Sequence, residues 1–360
     1  MKIFLVSNMY PSLSNPDHGV FVRNFKMKME DKGVVFSNIS VIKGKSRGIL
    51  QKLLNYSKHY VSVFKNFRGN KYDIIYIHYI SHNAPILAFL LLVFSKRTPI
   101  VVNVHGSDII KYNTGIFRVF NRYLLKQTNL LVVPSEYFKG IVKDNFQFYK
   151  SKKIFINPSG GVDLSMFFPE KKLEDEINDY CIGYVSRIDE GKGWDHFVNA
   201  LSILKNDGVK FKAIMAGEGV QEKLLESKIM ELKIEKDVVY LGAIEQEELV
   251  TFYNSMDIFV FPSTRAAESL GLVGLEAMAC GVPVIASNMA GPGTYVINHV
   301  NGFLTSPGNI FQIADFLKEY NNYSKEKRAI MQENAIATAK KYDSELTANK
   351  LYSELEKLVE

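Results

Sequence analysis

Twelve short apolar runs divide this chain, and their texture constrains the fold more than any single motif. Six lie in the first half (KIFLVS, VFSNISVI, DIIYIH, IVVNVH, LLVV and IFI) and six in the second (YCIGYVS, FKAIMAG, VVYL, DIFVF, VPVIA and GFL). They are near-continuous rather than alternating, the pattern of strands covered on both faces. Helix-period stretches separate them, as the crossovers between parallel strands require. The pattern predicts an α/β protein of two doubly wound, Rossmann-like domains. A length of 360 residues accommodates two such units of about 150 residues each. The Gly-, Pro- and charge-rich segment 157–172 is the expected junction, giving domains 1–165 and 166–342. The last helical stretch, about 343–360, packs either on the second domain or back on the first.

Composition narrows the class. Cys181 and Cys280 each sit in an apolar run with no partner spacing, which suits a reducing compartment. The run Ile3–Val6 is too short for a signal-peptide core and reads as a first strand. The longest uncharged apolar run, Ala84–Phe94, has eleven residues, short of the ~18 needed to span a bilayer. No transmembrane segment is expected. The formal net charge of +6 conceals a division: residues 1–169 hold 24 basic and 8 acidic side chains, the remainder 20 and 30.

Ligands of open parallel sheets bind beyond the carboxyl ends of the strands, so the segment after each run is where chemistry is sought. After the first run, Gly19 precedes a helix starting near Phe21, where bare N–H groups can meet an anion; an ordinary turn glycine is the alternative. His105, in His105-Gly106-Ser107-Asp108, stands at the end of IVVNV and either meets a ligand or caps the next turn. After CIGYVS, Arg187 and Lys192 sit in a glycine-flanked loop before a helix. Two cations and a helix N-terminus form a diphosphate site, unless the loop is merely solvated and salt-bridged. Neither a P-loop nor a dinucleotide G-x-G-x-x-G motif is present. Gly217-Glu218-Gly219 after KAIMA permits close backbone approach. The strongest feature is FPSTRAAESLGLVGLEAMACGVPVIAS. Glu268 precedes the turn Ser269-Leu270-Gly271-Leu272, and the N–H groups of Leu270 to Val273 would point at an anion. Glu276, eight residues beyond Glu268, is an acid in apolar surroundings and needs partners. Two ribose hydroxyls would supply them; pairing to a nearby base is the plainer alternative.

Together and in this order, these five pieces resemble the retaining GT-B glycosyltransferases of family 4, also called glycosyl transferases group 1. The similarity runs from about Asn8 to Leu304, carried chiefly by AGEG, LGA, DIFVFPS, ESLGLVGLEAMACGVPVIAS and NGFL. It implies two Rossmann-like domains facing a cleft, the first binding the acceptor and the second a nucleotide sugar, with the C-terminal helix returning to the first. By that resemblance Arg187 and Lys192 hold the donor diphosphate, Glu276 the ribose, and Glu268 with the following turn the transferred sugar. Gly19 admits the diphosphate, His105 lines the reaction centre, and Gly217, Glu218 and Leu241–Ile244 lie near the base. The chain departs from the family at Ser159-Gly160-Gly161-Val162-Asp163, at Ala290-Gly291-Pro292-Gly293-Thr294, and at His18-Gly19 where a double glycine is usual. Cations and a helix N-terminus would stabilise the leaving group as a divalent metal does. With no Asp-x-Asp motif, no metal or other cofactor is expected. A hydrolysing nucleotide-sugar 2-epimerase and a non-catalytic sugar-nucleotide module are the rival readings. The E-x7-E spacing and HGSD favour transfer over the first, the cationic pair and Glu268 catalysis over the second.

Between Asp31 and Asp73 stand nine lysines and arginines and no acid. Within this stretch Leu50, Leu53, Leu54, Val61 and Phe64 share one helical face, with Lys52, His59, Ser62 and Asn66 opposite. Such a helix suits an anionic lipid surface, or packs on a core with its basic face in water. Nucleic acid is not expected, since no recognition motif accompanies the charge. The expected partners are therefore a nucleotide-sugar donor, a glycan or lipid-linked acceptor, and an anionic membrane reached through residues 43–71. That places the protein at the cytoplasmic face of the plasma membrane, in capsule, exopolysaccharide or lipopolysaccharide assembly.

Overall fold

The computed structural model describes residues 1–16, 18–69, 71–94, 97–150, 152–170 and 180–360. Residues 171 and 172 of the expected junction, and Asn70 of the basic segment, lie outside the described residues. Two compact units are present: Met1–Gly161 with Glu345–Glu360, and Val162–Ser344. Unit 1 contains β1 (Lys2–Tyr10), α1 (Val20–Glu30), β2 (Val35–Lys43), α2 (Ile49–Arg68), β3 (Ile74–His78), α3 (Ile80–Val93), β4 (Ile100–Asn103), α4 (Ser107–Ile110), α5 (Gly115–Gln127), β5 (Leu130–Val133), α6 (Glu136–Asn145) and β6 (Ile154–Ile156). Unit 2 contains β7 (Cys181–Val185), α7 (Trp194–Asn206), β8 (Lys212–Ala216), α8 (Glu222–Glu231), β9 (Val238–Tyr240), α9 (Leu249–Asn254), β10 (Ile258–Phe261), α10 (Leu272–Ala279), β11 (Val284–Ser287), β12 (Gly302–Thr305), α11 (Ile310–Asn321) and α12 (Lys325–Lys340); α13 (Ser344–Glu356) follows.

Each of the twelve apolar runs contains a strand, and the pairings between these strands among the described residues are parallel. The strand β1 shows why the runs do not alternate. Phe4 and Val6 enter one core of unit 1 with Ile75 and Ile77 of β3, while Ile3 and Leu5 enter a second core, on the opposite face, with Ile74 and Tyr76. Successive side chains point to opposite faces, and here both faces are dry. The sheet of unit 1 runs β2-β1-β3-β4-β5-β6 and that of unit 2 runs β12-β11-β10-β7-β8-β9. The strand order therefore reverses between β1 and β3 in unit 1, and between β7 and β10 in unit 2. At such a reversal the following loops diverge and open a crevice at the carboxyl edge.

The helix α13 completes unit 1. Ala348, Leu351 and Leu355 are buried in the same core as Ile3, Leu5 and Tyr76. Charge fixes its docking: Glu345 pairs with Lys28 and Lys32, and Glu354 with Lys153. An acidic helix thus covers a basic unit.

The helix α2 departs from the alternative in which it packs on a core with its basic face in water. The side bearing His59, Ser62 and Asn66 faces the protein: His59 Nε2 bonds to Asn83 Oδ1 at 2.8 Å, Ser62 Oγ to Ser40 Oγ at 2.8 Å, and Asn66 Nδ2 donates to Ser40 Oγ at 2.9 Å. Val63 and Phe67 supply the apolar contact beneath. Satisfied hydrogen bonds let polar groups occupy an interior face, so Ile49, Leu50, Leu53, Leu54 and Val61 are left exposed; Phe64 alone of the expected stripe packs against the core. No helix among the described residues is long and apolar enough to cross a membrane.

Replacing a fully buried Leu by Ala costs about 2–5 kcal/mol. Leu351→Ala should lower the unfolding free energy of unit 1 by that order in denaturant titrations. A loss below about 0.5 kcal/mol, the range of surface substitutions, would show that α13 does not complete this core.

Candidate active site

The crevice of unit 2 is built by loops that follow β7 and β10, the two strands flanking the reversal. Lys192, in the loop before α7, extends Nζ to within 2.8 Å of Glu268 Oε2, which follows β10. Ser263 Oγ donates to the same oxygen at 3.0 Å. Lys192 and Glu268 are only 15% and 14% exposed. The pair is largely desolvated, so each charge depends on the other. The structure thus joins two of the expected site residues directly.

Arg187, expected beside Lys192 at a diphosphate, instead pairs with Asp189 Oδ2 at 2.6 Å and is 64% exposed. Asp189 is itself nearly buried and also accepts the N–H of Val220 at 3.2 Å. The Asp189 carboxylate therefore ties the β7 loop to the β8 loop. Arg265, after β10, caps the Glu190 carbonyl through Nε and a terminal nitrogen at 2.9 and 2.6 Å. Gly217 is fixed through its backbone, donating to Gly242 O and accepting from the Tyr240 hydroxyl, both at 2.7 Å. The Glu218 carbonyl accepts from Ile188 N at 3.1 Å, and Ile244 packs partly buried against the core.

The turn Ser269-Leu270-Gly271 leads into α10, whose first turn includes Leu272 and Val273. Gly271 has φ +76, and a side chain there would strike the Phe261 ring at 2.4 Å, so only glycine lets the turn close against β10. The departure segment Ala290–Thr294 is part of this construction: Gly291 N–H donates to Glu268 O at 3.2 Å. One turn into α10, Glu276 accepts from the Tyr253 hydroxyl at 2.9 Å. Burial pushes its carboxyl up to about 7, against the lowering effect of that hydrogen bond. At neutral pH this group sits near its midpoint, which is unusual for a carboxylate.

In unit 1, His105 follows β4 and His78 ends β3. Their Nε2 and Nδ1 atoms are 3.0 Å apart, with the Phe21 ring 4.2 Å from that of His105. Burial pushes His105 down to about 3 and lowers His78 well below its usual value. Both are neutral, so one donates and the other accepts. Asp108 caps the turn by accepting His105 N–H at 3.0 Å and Ile80 N–H at 3.2 Å, and burial raises its carboxyl to about 6. Gly19, φ +76, opens α1 where a Cβ would meet the Met9 backbone at 2.6 Å.

Tyr253, Ser263, Asp189 and His78 escaped the sequence reading. His78 carried the same signal as His105, an imidazole at a strand's carboxyl end. Ser263 lay inside the strongest motif. Tyr253 carried none, because its partner is set by how α9 packs beside α10.

Two parallel six-stranded sheets, each flanked by helices, are the architecture of the GT-B fold. Residues 17–165 match Glycosyltransferase Family 4 and residues 168–338 match Glycosyl transferases group 1. The chain belongs to this family. It is 28% identical over 356 residues to an uncharacterised glycosyltransferase of Methanocaldococcus jannaschii, covering 97% of this chain and 93% of that one. It is also 28% identical over 253 residues to the capsular polysaccharide biosynthesis glycosyltransferase CapM of Staphylococcus aureus, covering 66% and 65%. Anabaena HepE, solved with UDP and glucose, superposes with a TM-score of 0.74 at 20% identity, covering 99% of this chain and all of HepE.

Two outcomes follow from the geometry. Lys192→Met and Glu268→Gln should be non-additive in a double-mutant cycle on stability, with a coupling of about 0.5–3 kcal/mol; additive losses would break the pair. Glu276 titrates near 4.5 when unperturbed and near 7 in the fold, so the native state holds its proton more tightly. Its stabilising contribution is full below about pH 4.5 and is lost as pH rises through 7. Glu276→Gln should therefore gain stability relative to the parent between pH 5 and pH 8, by of order 1–3 kcal/mol. A pH-independent difference in melting would contradict this.

Proposed function

We propose that this protein transfers a sugar from a nucleotide diphosphate sugar to a glycan or lipid-linked glycan, with retention of anomeric configuration and without a metal ion. The observation that carries the reading is the Lys192–Glu268–Ser263 cluster at the strand-order reversal of unit 2. A diphosphate entering there offers Lys192 new anionic partners. Glu268, released from the cation, then accepts hydrogen bonds from hydroxyls of the transferred sugar. Arg187, exposed on the same loop, exchanges Asp189 for a phosphate oxygen. The first turn of α10 adds N–H groups and a favourable dipole.

In the transfer step the bond from the anomeric carbon to the diphosphate oxygen breaks, and the electron pair leaves with the diphosphate. Lysine, arginine and helix terminus stabilise that developing charge, the role a divalent metal fills elsewhere. The acceptor hydroxyl attacks from the same face and gives its proton to the departing phosphate. Glu276 accepts from the two ribose hydroxyls, and Gly217, Glu218 and Ile244 border the base. His105 belongs to the acceptor side, where a neutral imidazole offers a hydrogen bond without a charge. The complex of HepE with UDP and glucose supports a nucleotide-sugar donor for this fold. Similarity to CapM supports a role in cell-surface polysaccharide assembly.

The proposal includes an acceptor at the inner face of the plasma membrane. Ile49, Leu50 and Leu53 on α2 are 81%, 73% and 61% exposed within the basic segment 43–71. An exposed apolar helix face bordered by lysines suits anionic lipid.

Lys192→Ala and Arg187→Ala should each reduce transfer at least a hundredfold while preserving the circular dichroism spectrum; near-normal rates would remove the diphosphate assignment. Nuclear magnetic resonance of the product should show the donor's anomeric configuration, and EDTA should leave the rate unchanged. Inversion refutes retention, and loss of activity restored by magnesium or manganese refutes the metal-free step. The protein should sediment with phosphatidylglycerol vesicles at low salt, and Leu50→Ser with Leu53→Ser should abolish this. No sedimentation of the parent chain would refute membrane association.

A further inference from the structure

Asp189 lies in the loop between β7 and α7, and its side chain is only 9% exposed. Its Oδ1 accepts the N–H of Val220 at 3.2 Å, which leaves Oδ2 to be compensated by charge. Two guanidinium groups converge on that one oxygen. Arg187 Nη2 stands 2.6 Å from Oδ2, and Arg265 Nη2 stands 3.8 Å from it. The first distance is that of a charge-assisted hydrogen bond; the second is an ion pair without one.

The two arginines are held differently. Asp189 is the ion-pair partner of Arg187 among the described residues, and the Arg187 side chain is otherwise well exposed. Arg265 comes from the loop after β10 and is anchored, with Nε and Nη2 both donating to the Glu190 carbonyl. Its stem lies against Gly191, φ +76, where a Cβ would meet Arg265 Cγ at 3.1 Å. The neighbouring Thr264 N–H donates to Gly191 O at 2.9 Å and fixes the two loops together. Arg187 is thus the cation free to leave, and Arg265 the one that stays.

This arrangement bears on a cost hidden in donor binding. When Arg187 turns to a diphosphate, Asp189 loses its hydrogen-bonded cation while remaining poorly solvated. Taking one partner from a desolvated ion pair is strongly destabilising, and that loss is subtracted from donor affinity. Arg265 needs only ~1 Å of movement to reach ordinary N–H···O distance from Oδ2. A guanidinium carries five N–H donors, so the Glu190 carbonyl need not be released.

We propose that Arg265 is a positioning residue for the donor site: it takes over the Asp189 carboxylate as Arg187 leaves for the diphosphate, and so keeps the β7 and β8 loops joined while the donor is bound. It touches neither the donor nor the reacting atoms. The inference rests on the assignment of Arg187 to the diphosphate and adds the group that permits its release.

The test is calorimetric titration of the full chain with UDP and with GDP, continued with whichever nucleotide binds the parent. Arg265→Gln, whose amide can still donate to Glu190 O but carries no charge, should weaken binding at least about fivefold. Arg265→Lys keeps the cation and should stay within about twofold of the parent. In an Asp189→Asn background Oδ1 still accepts the Val220 N–H and no buried charge needs a partner. There Arg265→Gln should change affinity by less than about twofold. A role of Arg265 in loop structure alone gives the same loss in both backgrounds; that result, or unchanged affinity in Arg265→Gln, overturns the exchange. Should Arg265→Gln fail to fold by circular dichroism, a loss of about fivefold in Arg265→Lys, or in the double variant relative to Asp189→Asn, overturns it instead. Arg187→Ala keeps the two readings apart. Unchanged nucleotide affinity there removes the diphosphate assignment and the exchange with it, whereas weakened binding there with unchanged binding in Arg265→Gln removes the exchange alone. Failure of both nucleotides to bind the parent refutes the donor site itself.

Discussion

A parallel sheet buried on both faces leaves no room for polar function on its surfaces. In unit 1 the alternate residues of β1 enter two separate apolar cores, and the same constraint holds for the fully buried β7, β10 and β11 of unit 2. Polar and charged side chains are displaced to the strand ends, and the crossovers deliver all carboxyl ends to one edge. Where the strand order reverses, neighbouring loops leave in opposite directions and the edge opens. Lys192 and Glu268 meet at one such opening, and Asn8 and Tyr79 border the other. Both openings are consequences of topology before they are consequences of particular residues.

Within unit 2 the charges at the edge satisfy one another. Lys192 and Glu268 satisfy each other in a poorly solvated place, and Arg187 leans on Asp189. Breaking one partner of a desolvated pair is costly unless a replacement charge arrives. In the proposed reaction a diphosphate would supply that charge to Lys192, and sugar hydroxyls would donate hydrogen bonds to Glu268. Glu276 works differently: desolvation raises its pKa and a single tyrosine hydroxyl opposes the shift. In the proposed reaction the two ribose hydroxyls would add donors that oppose the shift further.

What was legible in the sequence follows from these physical scales. Strands were legible because two-face burial writes an uninterrupted apolar run, and each of the twelve runs contains one. The pairing of Lys192 with Glu268 was foreshadowed where strand ends coincide with a glycine and a charge. Tyr253 was not, since a tyrosine in an amphipathic stretch reads as core until α9 is packed beside α10. The orientation of α2 was left open for a related reason. A polar face is ordinarily the wet one, but Asn83 offers a partner that lets His59 be buried, and Ser40 and Asn38 hold the half-buried Ser62 and Asn66. Hydrogen-bond complementarity between a helix and a sheet is a tertiary property with no signature in one segment alone.

The charge division gains a structural explanation from α13. With Glu345–Glu360 counted in unit 1, that unit carries 26 basic and 11 acidic side chains, against 18 and 27 in unit 2. The returning helix brings acids to a basic surface, but it places them locally: Glu345 on Lys28 and Lys32, Glu354 on Lys153. None reaches the lysines and arginines of segment 43–71, which form no ion pair among the described residues. The fold therefore neutralises the basic charge that would oppose its own packing and leaves unneutralised the charge beside the exposed face of α2. Surface charge that folding does not consume remains available to anionic partners, and its reach is set by ionic strength, about 8 Å under physiological salt.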